Sequence, residues 1–138
     1  MKLKIFTDGG SRGNPGQAAI GVVIYNQKDG KKISEISECI GVATNNIAEY
    51  SAVLAALAWI ENNLTGKFEF DFFLDSELVV RQLSGVYKVK DEKLKSIFLE
   101  IINKISFLGS ESKFTHVTRD KNIDADALVN KALDENIC

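Results

Sequence analysis

Long apolar runs are missing from this 138-residue chain. None approaches the roughly 20 residues needed to span a bilayer. The start MKLKIF has neither the extended apolar stretch nor the small-residue cleavage site of a signal peptide. A protein of the cytoplasm, not attached to a membrane, is expected. Cysteine is scarce as well: Cys39 and Cys138 are far apart and have no metal-ligand spacing. That suits a reducing compartment, with a single bridge tying down the C-terminal residue as the alternative. There is one proline, Pro15, and one histidine, His116. Positive charge is not in excess either. The net charge is −2 and the pI near 5.5, so no global field draws the protein to nucleic acid, and such binding would have to rest on a local patch. What the chain does have is 45% hydrophobic residues, enough for one substantial core and a single domain over residues 1–138.

Patterning gives the elements. Lys2 to Asp8 reads as a strand, and Ala18 to Tyr25 ("AAIGVVIY") as a second, the two separated by a loop rich in glycine. Lys31 to Val42 is a third, joined by "NQKDG" as a hairpin turn, which makes an antiparallel meander. From Asn46 to Asn63 the period becomes helical, with Ala52, Val53, Ala56, Leu57 and Ile60 on one stripe and Asn45 or Asn46 as the cap. "KFEFDFFLD" is a strand that feeds a short helix, "SELVVRQLSG", starting at a serine cap and stopping at Gly85. A helix from Asp91 to Phe107, a strand "KFTHVT" and a last helix from Ile123 to Asn136 complete the order βββαβααβα. The expected fold is α/β, a five-stranded mixed sheet flanked by helices.

The acids fall in telling places. Asp8 ends the first strand and Asp75 ends "FEFDFFL", so both point into the crevice at the carboxyl ends of neighbouring strands. Glu49 lies on the core-facing stripe of its own helix, and Asp126 shares a side with Val129 and Leu133. Each acid has a plainer reading: a turn or cap residue for Asp8 and Asp75, a first-turn residue favoured by the helix dipole for Glu49. Together, though, four inward acids repel one another unless a cation neutralises them. An all-oxygen set selects a hard ion, Mg²⁺ or Mn²⁺. Charge balance favours two ions, the arrangement with which nucleases clamp the attacking and leaving oxygens of a phosphodiester, and Asp8 would then bridge them.

The blocks "TDGGSRGNPG", "TNNIAEY", "LDSELVVRQLSG" and "HVTRDKNIDADALVN" stand in the order and at the spacings of the type 1 ribonuclease H family, and the chain resembles that family over essentially its whole length. The resemblance implies the ribonuclease H-like fold and cleavage of the RNA strand of RNA–DNA hybrids with two Mg²⁺ or Mn²⁺ ions, leaving 5′-phosphate and 3′-hydroxyl ends. Carried over by position, the metal-binding acids are Asp8, Glu49, Asp75 and Asp126, the four reached above. His116, ten residues before Asp126, matches a loop histidine that helps proton or product movement in the family, against a purely structural role for a histidine near a strand end. Gly9, Gly10 and Ser11 match main-chain contacts to the RNA backbone and its 2′-hydroxyls. Asn14, Thr44, Asn45 and Asn46 match polar residues that reach the minor groove and a DNA phosphate, although turn and cap formation would account for them too.

Two departures stand out. Many bacterial relatives carry a glutamine two residues after the third acid and a long basic protrusion after the next helix. Here the glutamine position is Glu77 and the protrusion shrinks to "SGVYKVKDEKL". Lys88 and Lys90, with Arg12, Arg81, Lys93, Lys95 and Arg119, could form a smaller phosphate patch, or simply a solvated charged face. The short form resembles compact archaeal and environmental members, some of which act on double-stranded RNA. The expected protein is a monomeric endonuclease whose partner is an RNA–DNA hybrid. The alternatives are a nuclease of the same fold acting on double-stranded RNA or as an exonuclease, a hybrid-binding module with little activity, and a metal-free α/β domain.

Overall fold

The computed structural model of the protein describes residues 1–135. Its elements are β1 (Lys2–Gly13), β2 (Gly16–Asn26), β3 (Lys32–Ala43), α1 (Asn45–Asn63), β4 (Phe68–Leu74), α2 (Glu77–Leu83), α3 (Glu92–Leu108), β5 (Gly109–His116) and α4 (Ile123–Asp134), with one turn of 3₁₀ helix at Arg119–Lys121. The order is the βββαβααβα of the sequence pattern. One sheet holds all five strands in the order β3-β2-β1-β4-β5. The first three strands pair antiparallel, and β4 joins β1, and β5 joins β4, in parallel.

Helices cover both faces. Gly9 and Gly10 are successive strand residues and so face opposite ways. A side chain on Gly9 would meet the backbone of Ala48 in α1, and one on Gly10 would meet Val129 in α4. The larger core lies on the α1 side. There Leu3 and Ile5 of β1 and the alternate residues Phe68, Phe70 and Phe72 of β4 pack with Val53, Leu57 and Ile60 of α1 and Ile101 of α3. The period of two along β4 is what puts Phe68, Phe70 and Phe72 on this face and Glu69, Asp71 and Phe73 on the other. α2 is tied to α1 by the buried bond from the Tyr50 hydroxyl to Gln82 Oε1, 2.7 Å.

The glycine-rich stretch is not a loop. β1 continues through Asp8, Gly9 and Gly10 to Gly13 and pairs with β2 throughout, so the turn shrinks to Asn14 and Pro15, joined by a cis peptide bond. Asp8 therefore lies within β1 instead of ending it. Gly13, at φ +98°, serves the turn, but Gly9 serves close approach: a Cβ there would collide with the carbonyl of Ala48, as one on Gly21 in β2 would with the carbonyl oxygen of Ala125. Other differences are local. Thr44, not Asn45 or Asn46, caps α1, its hydroxyl accepting from the Ile47 N–H at 3.2 Å. β5 starts at Gly109, earlier than the expected Lys113, because Gly109 leaves α3 fully extended (φ −154°) and pairs at once with Phe68. It also stops at His116 and not at Thr118. The expected end of the last helix at Asn136, and Cys138 with the alternative of a bridge to Cys39, lie outside the described residues. Among the described residues, no helix is long and apolar enough to cross a membrane.

Gly9→Ala should destabilise the protein by about 3 kcal/mol or more, the upper range for overpacking, because backbone and not a flexible side chain occupies the space. Gly30→Ala meets nothing within 4 Å but must hold φ at +72°, and should cost only about 1–2 kcal/mol. Urea denaturation of the two variants checks the ordering.

Candidate active site

The parallel pairing of β1 with β4 ends at Phe6 and Phe73, so β1 runs on past Phe6 without β4 beside it. Three carboxylates occupy the notch this leaves. Asp8 comes from β1 itself and Asp75 from the residue after β4. Glu49 comes from the buried face of α1, brought close by the contact of Ala48 with Gly9. Its Oε1 accepts the N–H of Gly9, a main-chain donor on the stretch that β4 does not reach. Asp8 is 7% exposed and Glu49 5%. One carboxylate oxygen from each of the three lies within 4.8 Å of the others.

Charge is under strain here. Burial, reinforced by the charges of Asp75 and Asp126 and partly offset by a hydrogen bond with Glu49, pushes the Asp8 carboxyl up to about 7. Glu49 is pushed well above the usual carboxylate range, by burial first and the charge of Asp8 second. Glu49 Oε2 and Asp75 Oδ2 are buried without a hydrogen-bond partner. Such orphaned oxygens cost about 1–3 kcal/mol each, more when charged. The Nε of Arg119 is 3.8 Å from Asp75 Oδ2, but that side chain is 81% exposed and offsets little. Hard, anionic, unpartnered oxygens in a cleft are what Mg²⁺ or Mn²⁺ binds, so the residues fit such a cation.

Asp126, in the first turn of α4, stands outside the tight trio, half-buried. It lines the same cleft of about 450 Å³, bears on Asp8 by charge and hydrogen bond, and accepts from Asn130 Nδ2 at 3.4 Å. Gly9, Gly10, Ser11, Asn45 and Asn46 line this cleft too. Asn14 and Thr44 do not: Asn14 Oδ1 accepts the Asn45 N–H at 3.1 Å, and Thr44 caps α1. Asn45 Oδ1 in turn accepts from the Ser11 N–H at 2.9 Å, so these amides stitch the β1 hairpin to the start of α1. His116 is exposed at the end of β5, opposite Leu74, and lines a separate cavity of about 320 Å³ with Glu77, Arg81 and Ser84. Lys88 and Lys90 are exposed in the connection between α2 and α3, away from the acidic cleft. A larger cavity, about 590 Å³ beside Phe6 and Tyr25, contains as acids only Asp120 and Asp124, both exposed.

Sequence reasoning missed two asparagines. Asn122, 1% exposed, donates to the Thr7 carbonyl at 2.9 Å and so docks the start of α4 on β1, which sets where Asp126 enters the cleft. Asn130 is four residues after Asp126, the spacing that brings helix side chains together, and that spacing was readable.

Fold and carboxylates together define a protein of the ribonuclease H fold with an acidic, cation-ready cleft. A family model described as reverse transcriptase-like matches residues 6–132. LC11-RNase H1, solved in complex with an RNA/DNA hybrid and isolated from compost by a metagenomic approach, is 42% identical, with 99% of each chain covered and a TM-score of 0.88. RNase H1 from the halophilic archaeon Halobacterium salinarum is 37% identical over 98% of this chain and 99% of that one, with a TM-score of 0.89. The bifunctional protein Rv2228c of Mycobacterium tuberculosis is 37% identical over 97% of this chain, which spans 36% of that protein's length. The curated Halobacterium salinarum ribonuclease HI is covered to 65% of its length. This chain belongs to the ribonuclease H family.

Because Asp8 and Glu49 hold protons more tightly folded than unfolded, the metal-free protein should lose stability as pH rises from about 4 through about 7. Asp8→Asn should flatten this dependence and raise Tm at pH 8, by roughly 3–5 °C for each kcal/mol of repulsion relieved. Mg²⁺ should stabilise the unaltered protein at pH 8, since the unfolded chain has no such site. Thermal melts in EDTA and in Mg²⁺ at pH 5 and 8 measure all three effects.

Proposed function

We propose that residues 1–138 form one ribonuclease H domain, a metal-dependent endonuclease that hydrolyses the RNA strand of RNA–DNA hybrids and leaves 5′-phosphate and 3′-hydroxyl ends. The observation that carries the reading is the cluster of Asp8, Glu49 and Asp75, two of whose buried oxygens have no hydrogen-bond partner. The relative solved with an RNA/DNA hybrid, similar over the whole chain, supports the substrate class. Asp8, Glu49, Asp75 and Asp126 would hold two Mg²⁺ or Mn²⁺ ions. Bound there, the cations would polarise the phosphodiester and lower the pKa of an attacking water.

The chain's own groups do the rest. The Gly9 N–H fixes the Glu49 carboxylate, and Asn130 steadies Asp126, so the acids are held before substrate arrives. Gly9, Gly10 and Ser11 offer main chain without bulk to the RNA backbone and its 2′-hydroxyls. Asn45 and Asn46 supply neutral donors beside the acids, where a cation would compete with the metal. Asn14 and Thr44 hold that edge in shape and thereby position the donors. His116 would move a proton or help product leave, and Lys88 and Lys90 would meet phosphates. The protein is taken to act in the cytoplasm as a monomer.

Asp75→Asn should lower hybrid cleavage by more than the roughly 10–100-fold that losing a supporting hydrogen bond around a metal costs, with the fold kept. The decisive assay offers matched hybrid, double-stranded RNA and double-stranded DNA with Mg²⁺ and then Mn²⁺. Cleavage mainly of double-stranded RNA would move the substrate assignment, and near-wild-type turnover by Asp75→Asn would remove the metal site. His116→Ala should lower kcat several-fold with KM unchanged. Replacing Lys88 and Lys90 by alanine together should raise KM, leave kcat unchanged and reduce the salt slope by about 1–2.

A further inference from the structure

Arg81 is held on two sides. Its Nε donates to Glu77 Oε1 at 3.0 Å, and its Nη2 lies 2.9 Å from the same oxygen. The ring of Tyr87 lies against the guanidinium, its centroid 5.6 Å from Cζ. The chain folds back to place that ring. Gly85 takes φ +80° after α2, and the N–H groups of Val86 and Tyr87 then donate to the carbonyl of Arg81 at 2.9 and 3.2 Å. These bonds are the ordinary glycine close of a helix, with the Gly85 N–H also donating to Gln82, and their consequence here is that Tyr87 lands on the guanidinium. Here Val86 and Tyr87 stay 63% and 48% exposed, so apolar surface is left in water where the chain folds back over the guanidinium.

The arginine is also in a telling place. Arg81, Glu77 and Ser84 share the cavity of about 320 Å³ with His116. Strand register sets His116 opposite Leu74, the residue before Asp75, so this cavity opens beside the end of β4 from which Asp75 leaves. A guanidinium is a planar fork suited to phosphate, and a single carboxylate oxygen engages one edge of it. We infer that Arg81 binds a phosphate of the nucleic-acid substrate in this cavity, and that Glu77 is the anion it exchanges for that phosphate. The inference rests on the hybrid-cleaving reading of the acidic site. It gives Glu77 a purpose: alone it would repel a polyanion beside the acids, whereas paired it keeps Arg81 in position until a phosphate arrives.

The signs of the variants follow. Arg81→Ala loses a contact and leaves Glu77 uncompensated, so binding should weaken about tenfold and the salt slope should fall by about 0.7–0.9, the yield of one phosphate contact. Arg81→Lys keeps the charge and should restore the slope, but not all the affinity, because the fork is gone. Glu77→Gln removes the competitor and should tighten binding several-fold. The double variant Glu77→Gln with Arg81→Ala should bind more tightly than Arg81→Ala alone.

The measurement is fluorescence anisotropy of the full chain with a labelled RNA–DNA hybrid in metal-free buffer at several salt concentrations, beside steady-state kinetics with Mg²⁺. Expected in kinetics is a raised KM for Arg81→Ala with kcat within about twofold. An unchanged salt slope in Arg81→Ala, or weaker binding by Glu77→Gln, overturns the inference. Should Arg81→Ala not fold, Arg81→Lys and Glu77→Gln carry the same decision. Hybrid binding that depends on Arg81 without any cleavage would overturn the proposed activity and keep this contact; cleavage indifferent to Arg81 would do the reverse; no hybrid binding at all overturns both.

Discussion

The side chain that Gly9 lacks would collide with the carbonyl of Ala48, and its absence lets α1 lie directly on β1 at the point where β4 stops. Three consequences follow from that one contact. The N-terminal part of α1 comes down far enough for Glu49, just past its first turn, to take the Gly9 N–H, a donor beyond the reach of β4. Asp75, leaving the end of β4, meets Glu49 and Asp8 in the same notch. And Thr44 and Asn45, just upstream, reach the β1–β2 hairpin through Asn14 and Ser11. A strand that ends early and a helix that sits close thus convert one missing methyl group into a pocket of carboxylates.

That pocket is unfavourable on its own terms. Three acids share a space with one main-chain donor committed to them, and two of their buried oxygens have no hydrogen-bond partner. Burial keeps a proton on Asp8 up to about pH 7, a sign that the charged form lacks solvation. Such a cluster costs stability, and it is carried by the apolar core beside it, with Leu3, Ile5, Phe70, Phe72, Tyr50 and Leu57 all buried. The same repulsion that lowers stability without metal raises affinity for a hard cation, so poor solvation and metal binding are two descriptions of one electrostatic state.

Much of this was legible in the residues, and the gaps have identifiable causes. Helical periodicity placed Glu49 on a buried stripe because that stripe is unbroken from Ala48 to Ile60. The phenylalanine alternation placed β4 and hence Asp75. What misled was glycine: in a single sequence a glycine that permits close approach looks like one that turns the chain, so β1 was cut at Asp8, five residues short of Gly13. The Thr44 cap was hidden by the two equally good capping asparagines after it. Asn122 gave no signal, since its bond to the Thr7 carbonyl joins residues 115 apart. His116 was assigned by its match to a family histidine; register along β5 sets it opposite Leu74, in a cavity with Glu77 and Arg81.

The distribution of charge solves a problem that any acidic site for a polyanion must face. Lysines or arginines among the metal-holding acids would pair with them and displace the cation. Most donors lining the cleft are neutral, main chain at Gly9 to Ser11 and amides at Asn45 and Asn46, and its two cations are Arg12 and Arg119. Both are drawn off: Arg12 pairs with Asp134, and Arg119, 81% exposed, reaches Asp75 only at 3.8 Å. Arg81 is buffered by Glu77 on a neighbouring helix. On the proposed reading, attraction for phosphate sits at the margin, where it would draw a nucleic acid without collapsing onto the carboxylates. A chain of net charge −2 would then engage a polyanion through where its charges stand, the sum over the surface mattering little beyond a Debye length of about 8–10 Å.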